Sequence, residues 1–295
     1  MKKTPTYSTR ASYIAHTTNA THAAHAARTP QKRKHPVVFG IVAIAIILVV
    51  ATVLITALSN VNKSTMPYDW SYLTWDDSSR PIYEEEGKYT SVLGVDVSSY
   101  DKDFDWEAAA NDGISFTFIR IGWRGYTEGG LNIDEYFAQN YAGAKECGLD
   151  VGVYFFSSAI TEEEAVEEAQ FVLDQLDAVD AQLDLPVAFD LENVSDSQGR
   201  ANNLSSSQAS AIANAFCETI EAAGYETIIY GNISDLARYN ESVTTKADRD
   251  VWLAEYETST PSADFNFTIW QFSAYGYIEG ISRNVDLDIM FIPTS

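Results

Sequence analysis

From residue 92 onward, short apolar runs with two-residue alternation recur along the chain, separated by stretches whose apolar positions return every three to four residues. The runs are VLGVDVS (92–98), FTFIRIG (116–122), DVGVYFF (150–156), LPVAFDLE (185–192), ETIIYG (226–231), DVWLAEY (250–256), FTIWQFS (267–273) and NVDLDIM (284–290). The pattern predicts eight strands, the parallel kind joined by crossover helices. Helices are expected over 105–112, 134–147, 161–176 and 205–223. Thr161 precedes Glu162, Glu163 and Glu164, which puts a cap and acids where a helix dipole favours them, and Gly148 and Gly224 stand where helices stop. After the fifth strand the connections hold no long helix. The fold class is therefore α/β, a barrel with an irregular last part, in one domain over 92–295.

A different pattern precedes it. Residues 37–58 are 22 positions without a charge, about 33 Å long as a helix at about 1.5 Å per residue. A single N-terminal transmembrane helix is expected there. Lys32, Arg33 and Lys34 lie just before it, which sets the N-terminus in the cytoplasm and the remainder outside the cell. The apolar core is longer than that of a cleaved signal peptide and no small-x-small site follows, so a retained signal-anchor is favoured. Residues 1–36, basic and poor in apolar side chains, read as a disordered cytoplasmic tail, and 59–91 as an extracellular spacer. Tyr68, Trp70, Tyr72 and Trp75 in that spacer suit a membrane interface or packing on the domain equally well.

Charge narrows the partners. Residues 1–59 hold seven of the 19 basic residues and none of the 42 acidic ones, so the exterior portion carries 12 against 42. Nucleic acid is excluded as its partner. All four histidines, His16, His22, His25 and His35, lie in the tail. The exterior domain thus has no Ser-His or Cys-His pair and no His-ligated metal, and its chemistry must rest on other groups. Cys147 and Cys217 fall in separate predicted helices and are expected as free thiols. No cofactor and no required metal are expected, because acids that exchange protons must stay free of a cation.

Acids are what remains. In LPVAFDLE, alternation sends Val187, Phe189 and Leu191 to one face and Ala188, Asp190 and Glu192 to the other. With the apolar side under the helices, both acids face the barrel mouth. In the first run Asp96 alternates inward, and in the eighth Asp286 and Asp288 do. The first and eighth strands adjoin in a closed barrel, so these acids converge and raise one another's pKa. Hydrolysis of a glycosidic bond needs such a set.

The blocks GVDVSSYDKDFDW, FIRIGWRG, GLDVGVYFFSSAITEEEA, LPVAFDLE, AGYETIIYGN, VWLAEY, IWQFSAYGYIEGI and VDLDIM, with the D-x-x-F-x-x-N run of Asp134, Phe137 and Asn140, follow one another in an order that resembles the muramidases of glycoside hydrolase family 25. The resemblance implies an irregular TIM-like (β/α)5(β)3 barrel and hydrolysis of the β-1,4 bond between N-acetylmuramic acid and N-acetylglucosamine in peptidoglycan glycan strands. It further implies Glu192 as general acid, Asp190 assisting the substrate's own N-acetyl group, and Asp96 and Asp286 as the other catalytic acids. Tyr154, Phe156, Tyr230, Trp252 and Tyr256 alternate inward and suit sugar faces; for Phe156 and Trp252, core filling explains the position as well. Gln271 and Arg120 are polar groups that bind substrate or hold a carboxylate, Arg120 better as an inward ion pair. Asp288 is a further substrate contact. A catalytically inactive glycan-binding barrel is the alternative. A monomeric catalytic domain held at the cell membrane is expected.

Overall fold

The structure, a computed structural model, describes residues 66–245, 247–279 and 281–294. In chain order its elements are β1 (Leu73–Trp75), β2 (Pro81–Glu85), β3 (Tyr89–Val97), α1 (Trp106–Asn111), β4 (Ile114–Arg124), β5 (Leu131–Ile133), α2 (Phe137–Glu146), β6 (Asp150–Phe156), α3 (Glu162–Ala178), β7 (Val187–Asp190), α4 (Ser206–Ala222), β8 (Thr227–Asn232), α5 (Ile233–Leu236), β9 (Asp250–Ala254), β10 (Ile269–Gly276) and β11 (Val285–Pro293). The caps that start the long helices are local. Thr161 accepts from the Glu164 amide at 3.2 Å, and Ser205 with Gln208 forms a reciprocal capping box on α4. Gly148 and Gly224, at φ 77° and 95°, end α2 and α4 in the left-handed region that suits glycine.

Eight strands close a barrel in the order β3, β4, β6, β7, β8, β9, β10, β11, with β11 returning to β3. The eight expected strands and four expected helices are all present. Seven strands run parallel, but β11 is antiparallel to both neighbours. The sequence pattern implied parallel strands with crossover helices and an irregular last part, without giving the direction of the final strand. Only 8 residues separate β10 from β11, too few for a crossover, so the chain turns back instead.

Alternation divides the core in two. Val187, Phe189 and Leu191 join the layer between strands and helices, with Phe155, Phe216 and Ile220. Phe116, Phe118, Ala188, Ile228, Trp252 and Ile269 fill the barrel interior. Gly94 belongs to this interior because a Cβ there would sit 2.2 Å from the Phe116 ring. The apolar plug occupies the lower barrel and leaves the upper part, at the C-terminal ends of the parallel strands, to polar side chains.

The segment expected as a spacer is folded over 66–91. Pro81, Tyr83 and Glu85 of β2 point inward while Ile82 and Glu84 face out, and β2 pairs with the start of β3. The Tyr68 hydroxyl donates to the Phe267 carbonyl at 2.7 Å and its ring stacks on Phe291 at 4.2 Å. Arg80 pairs with Asp112 and donates to the Tyr277 carbonyl at 2.8 Å. Strands of three and five residues are short, and β2 is fixed by its ladder to β3 together with these side-chain contacts. Of the four aromatics, Tyr68 is buried and Trp70 half-buried, whereas Tyr72 and Trp75 stay exposed. Both cysteines are free, Cys217 buried and Cys147 half-buried. Among the described residues no helix is long and apolar enough to cross a membrane; the expected tail and span, 1–36 and 37–58, lie outside them.

Candidate active site

At the barrel mouth is a cavity of about 360 Å³. Each acid reaches it by strand parity. Asp190 is the last residue of β7, and Glu192 lies two positions on, more exposed than Asp190. Asp96 and Asp286 stand directly opposite each other in the β3–β11 ladder. All four line the cavity, so the structure brings together the acids that the sequence placed at strand ends.

Burial is the main influence on them. It pushes Asp190 well above the usual carboxylate range, with repulsion from Glu192 second. The same cause raises Glu192, followed by the charge of Asp235, while a hydrogen bond shared with Asp190 opposes the shift. Asp96 is raised by burial, then by Asp286 and Asp288. Asp286 is pushed up to about 6 by burial and by Asp101. Repulsion among the predicted acids, the cause expected from the sequence, comes second at Asp190 and Asp96, while at Glu192 and Asp286 the second cause is Asp235 and Asp101.

Polar neighbours fix the acids. Gln271 donates from Nε2 to Asp96, while its Oε1 accepts from the Tyr230 hydroxyl at 2.8 Å and from Tyr256. Gln271 therefore holds a carboxylate in place and orients two ring hydroxyls at once. Arg120 lines the cavity as an ion pair with Asp134 at 2.8 Å, donates to Ser99 Oγ at 2.9 Å, and lies over the rings of Tyr100 and Trp123 at 5.0 and 4.9 Å. Its sequence assignment as a structural ion pair describes this contact. Asp190 Oδ1 is buried without a hydrogen-bond partner among the described residues. Such an orphaned acceptor is costly and suits a donor brought by a ligand.

Two expected substrate contacts lie deeper than strand parity tells, one below the cavity and one at its floor. Asp288 is fully buried, does not line the cavity, and accepts from Trp252 Nε1 at 2.8 Å. Because β11 runs downward, Asp288 lies one layer of about 6.8 Å below Asp286, paired with Gly94 rather than Asp96. Trp252 is almost wholly buried, packed on Phe118 at 4.5 Å and Tyr230 at 4.7 Å, and forms the floor of the cavity. Tyr154, Phe156 and Tyr230 line the walls, whereas Tyr256 is exposed, does not line the cavity, and reaches it only through its bond to Gln271.

Further lining residues are Ser98 and Asn284, at the ends of the expected runs and on the parity of Asp96 and Asp286, and Tyr100 and Asp101 on the loop after β3, which strand alternation does not reach. Asp101 accepts from the Ser98 amide at 2.9 Å and faces Arg283 Nε at 3.7 Å. Asp235 at α5 bears on Glu192 from the next strand connection. Asp134, by contrast, was marked in the sequence by the D-x-x-F run, and its function is to hold Arg120.

Comparison with known proteins agrees with this fold. The sequence profile described as glycosyl hydrolases family 25 matches residues 95–281. An autolytic lysozyme of Clostridium acetobutylicum is 28% identical over 197 residues, 67% of this chain and 55% of that protein. Lysozyme M1 of Streptomyces globisporus is 27% identical over 202 residues, 67% of each chain. This chain thus spans little more than half of the Clostridium relative. Among solved structures, a bacterial lysozyme from Streptomyces coelicolor superposes with a TM-score of 0.54 at 25% identity, covering 67% of this chain and 90% of that one.

Proposed function

This chain belongs to the glycosyl hydrolases of family 25, and on that premise we propose that it is a membrane-anchored peptidoglycan hydrolase, a lysozyme of the N-acetylmuramidase kind. The bond cut is the β-1,4 link between N-acetylmuramic acid and N-acetylglucosamine. Relatives named as lysozymes support the reaction class. The observation that carries the mechanism is the stacked pair at the end of β7: a buried Asp190 with one orphaned oxygen, hydrogen-bonded to a more open Glu192.

Glu192 is the general acid. Burial raises its pKa and so favours the protonated form, and its position at the cavity wall lets it protonate the glycosidic oxygen. Asp190 Oδ1 accepts from the N–H of the substrate's acetamido group, so the acetamido oxygen attacks the anomeric carbon as the leaving oxygen takes the proton. Water then opens the cyclic intermediate, with Glu192 as base, and configuration is retained. Asp96 and Asp286, on the opposite wall, steady positive charge that develops on the ring. The floor of Trp252 and walls of Tyr154 and Tyr230 exclude water beneath the sugar. Residues 37–58 tether the domain outside the cell, with 1–36 in the cytoplasm, and the monomeric barrel reaches the wall from that anchor.

Mass analysis of fragments released from isolated cell walls tests the assignment. New reducing ends on N-acetylmuramic acid, formed with the β anomer first, are expected. Reducing ends on N-acetylglucosamine, or walls bound but left intact as by an inactive barrel, would refute it.

A further inference from the structure

Besides Asp288, a second fully buried carboxylate lies outside the sugar cavity. Glu168, in the second turn of α3, accepts from Arg124 Nε at 2.7 Å on one oxygen and from Ser157 Oγ at 2.7 Å on the other, and the Ser158 amide also donates to it. Arg124 ends β4 and Ser157 follows β6, so Glu168 joins the tops of two neighbouring strands. Ser157 makes a second bond: its main-chain N–H donates to the Asp190 carbonyl at 2.7 Å. The β6–β7 ladder ends at the pair Phe156 and Asp190. That amide is thus the last main-chain tie from β6 to the stretch that carries Asp190 and Glu192.

The arrangement is a poor stabilising device. Burial pushes Glu168 up to about 7 although Arg124 is beside it, and a buried pair of this kind commonly gains less than an apolar replacement would. Charged groups around it are already engaged: Arg124 also binds Glu167 at 2.7 Å and the Glu164 carbonyl at 3.0 Å, and Glu164 pairs with Arg200 at 2.7 Å. What the network does specify is where Ser157 stands.

We propose that Glu168 is a positioning residue for the Asp190–Glu192 pair, acting through Ser157, with Arg124 as its counter-charge. The inference rests on the assignment of that pair as the reacting carboxyls. A glutamine at 168 that turns its one oxygen to Arg124 presents Nε2 to Ser157, whose hydroxyl must then reverse from donor to acceptor while it also accepts from the Ala159 amide at 3.2 Å, and the Ser157 loop relaxes. Displacements well under an ångström at a reacting carboxyl are enough to slow chemistry while leaving the cavity walls in place.

The test uses the full chain in detergent with Glu168→Gln, Ser157→Ala and the double variant. On isolated walls each folded single variant should lose kcat by about tenfold with apparent KM within about twofold, and the double variant should fall no further than the worse single one. In parallel, the carboxyl carbon resonances of Asp190 and Glu192 should change their titration midpoints by about half a pH unit or more in each variant. Ser157→Ala removes one hydroxyl and decides the matter if Glu168→Gln does not fold. Folded variants with wild-type kcat and unmoved midpoints would overturn the inference. Should the unaltered protein leave walls intact, the hydrolase assignment fails, and the carboxyl titrations then decide alone: a change supports the coupling and no change overturns it.

Discussion

Glu192→Gln should abolish wall hydrolysis for practical purposes, with kcat down by about 10²–10⁴-fold and the fold intact, because loss of a positioned proton donor has that magnitude. The side chain lines a cavity whose other walls it does not support: Gln271, Tyr230 and Tyr256 bond to one another and to Asp96 without it. Affinity for glycan should therefore persist. Asp190→Asn should be comparably damaging for a different reason, since an amide keeps a neutral acceptor for the acetamido N–H but cannot share a proton with Glu192 across their hydrogen bond. Turnover and glycan binding measured on the same purified variants separate the effects. Retention of more than a tenth of wild-type turnover in Glu192→Gln would remove it from the role of acid.

A second large effect concerns stability against pH. Asp96, Asp190, Asp288 and Glu192 are all raised by burial, Asp286 is pushed to about 6 from 3.8, and Glu168 to about 7 from 4.5. Between about pH 4 and pH 7 the folded chain thus holds protons that the unfolded chain has released. The stability from these groups is complete below about pH 4 and is lost as pH rises through their folded values. Asp112, Asp184, Glu164 and Glu221 oppose this at the acid end, since each is lowered, despite some burial, by a bond to Arg or Lys and loses stability as pH falls through its folded value. The optimum should lie near pH 5, with the thermal midpoint about 5 °C or more above that at pH 8. An Asp96→Asn, Asp286→Asn double variant should narrow the difference, which separates the site from the general relief of a net charge of −23. A midpoint that climbs steadily from pH 5 to pH 8 would contradict the burial of these acids.

How much of this the sequence disclosed follows from what alternation encodes. In VAFD the inner and outer faces differ in polarity, so parity alone put Asp190 inside and Phe189 outside, and the structure agrees. Parity gives a face but no depth. Asp286 and Asp288 share a face, yet only Asp286 lines the cavity, because the antiparallel course of β11 carries later residues downward. Trp252 was equally ambiguous, and its hydrogen bond to that deeper acid settles it as floor. Tyr100 and Asp101 lie on a loop after β3, where no period exists to read. Glu168 sits in a helix among four other glutamates, and nothing in their order distinguishes the one that turns inward to Arg124 and Ser157.

The central claim is that Asp96, Asp190, Glu192 and Asp286 act together on one sugar ring. A crystal structure of Glu192→Gln soaked with a short muramic-acid-containing glycan tests it most directly. The account predicts an N-acetylmuramic acid over Trp252, its acetamido nitrogen within hydrogen-bond distance of Asp190 and the glycosidic oxygen beside the amide at 192. A glycan seated elsewhere on the surface, or one whose acetamido group points away from Asp190, would contradict it.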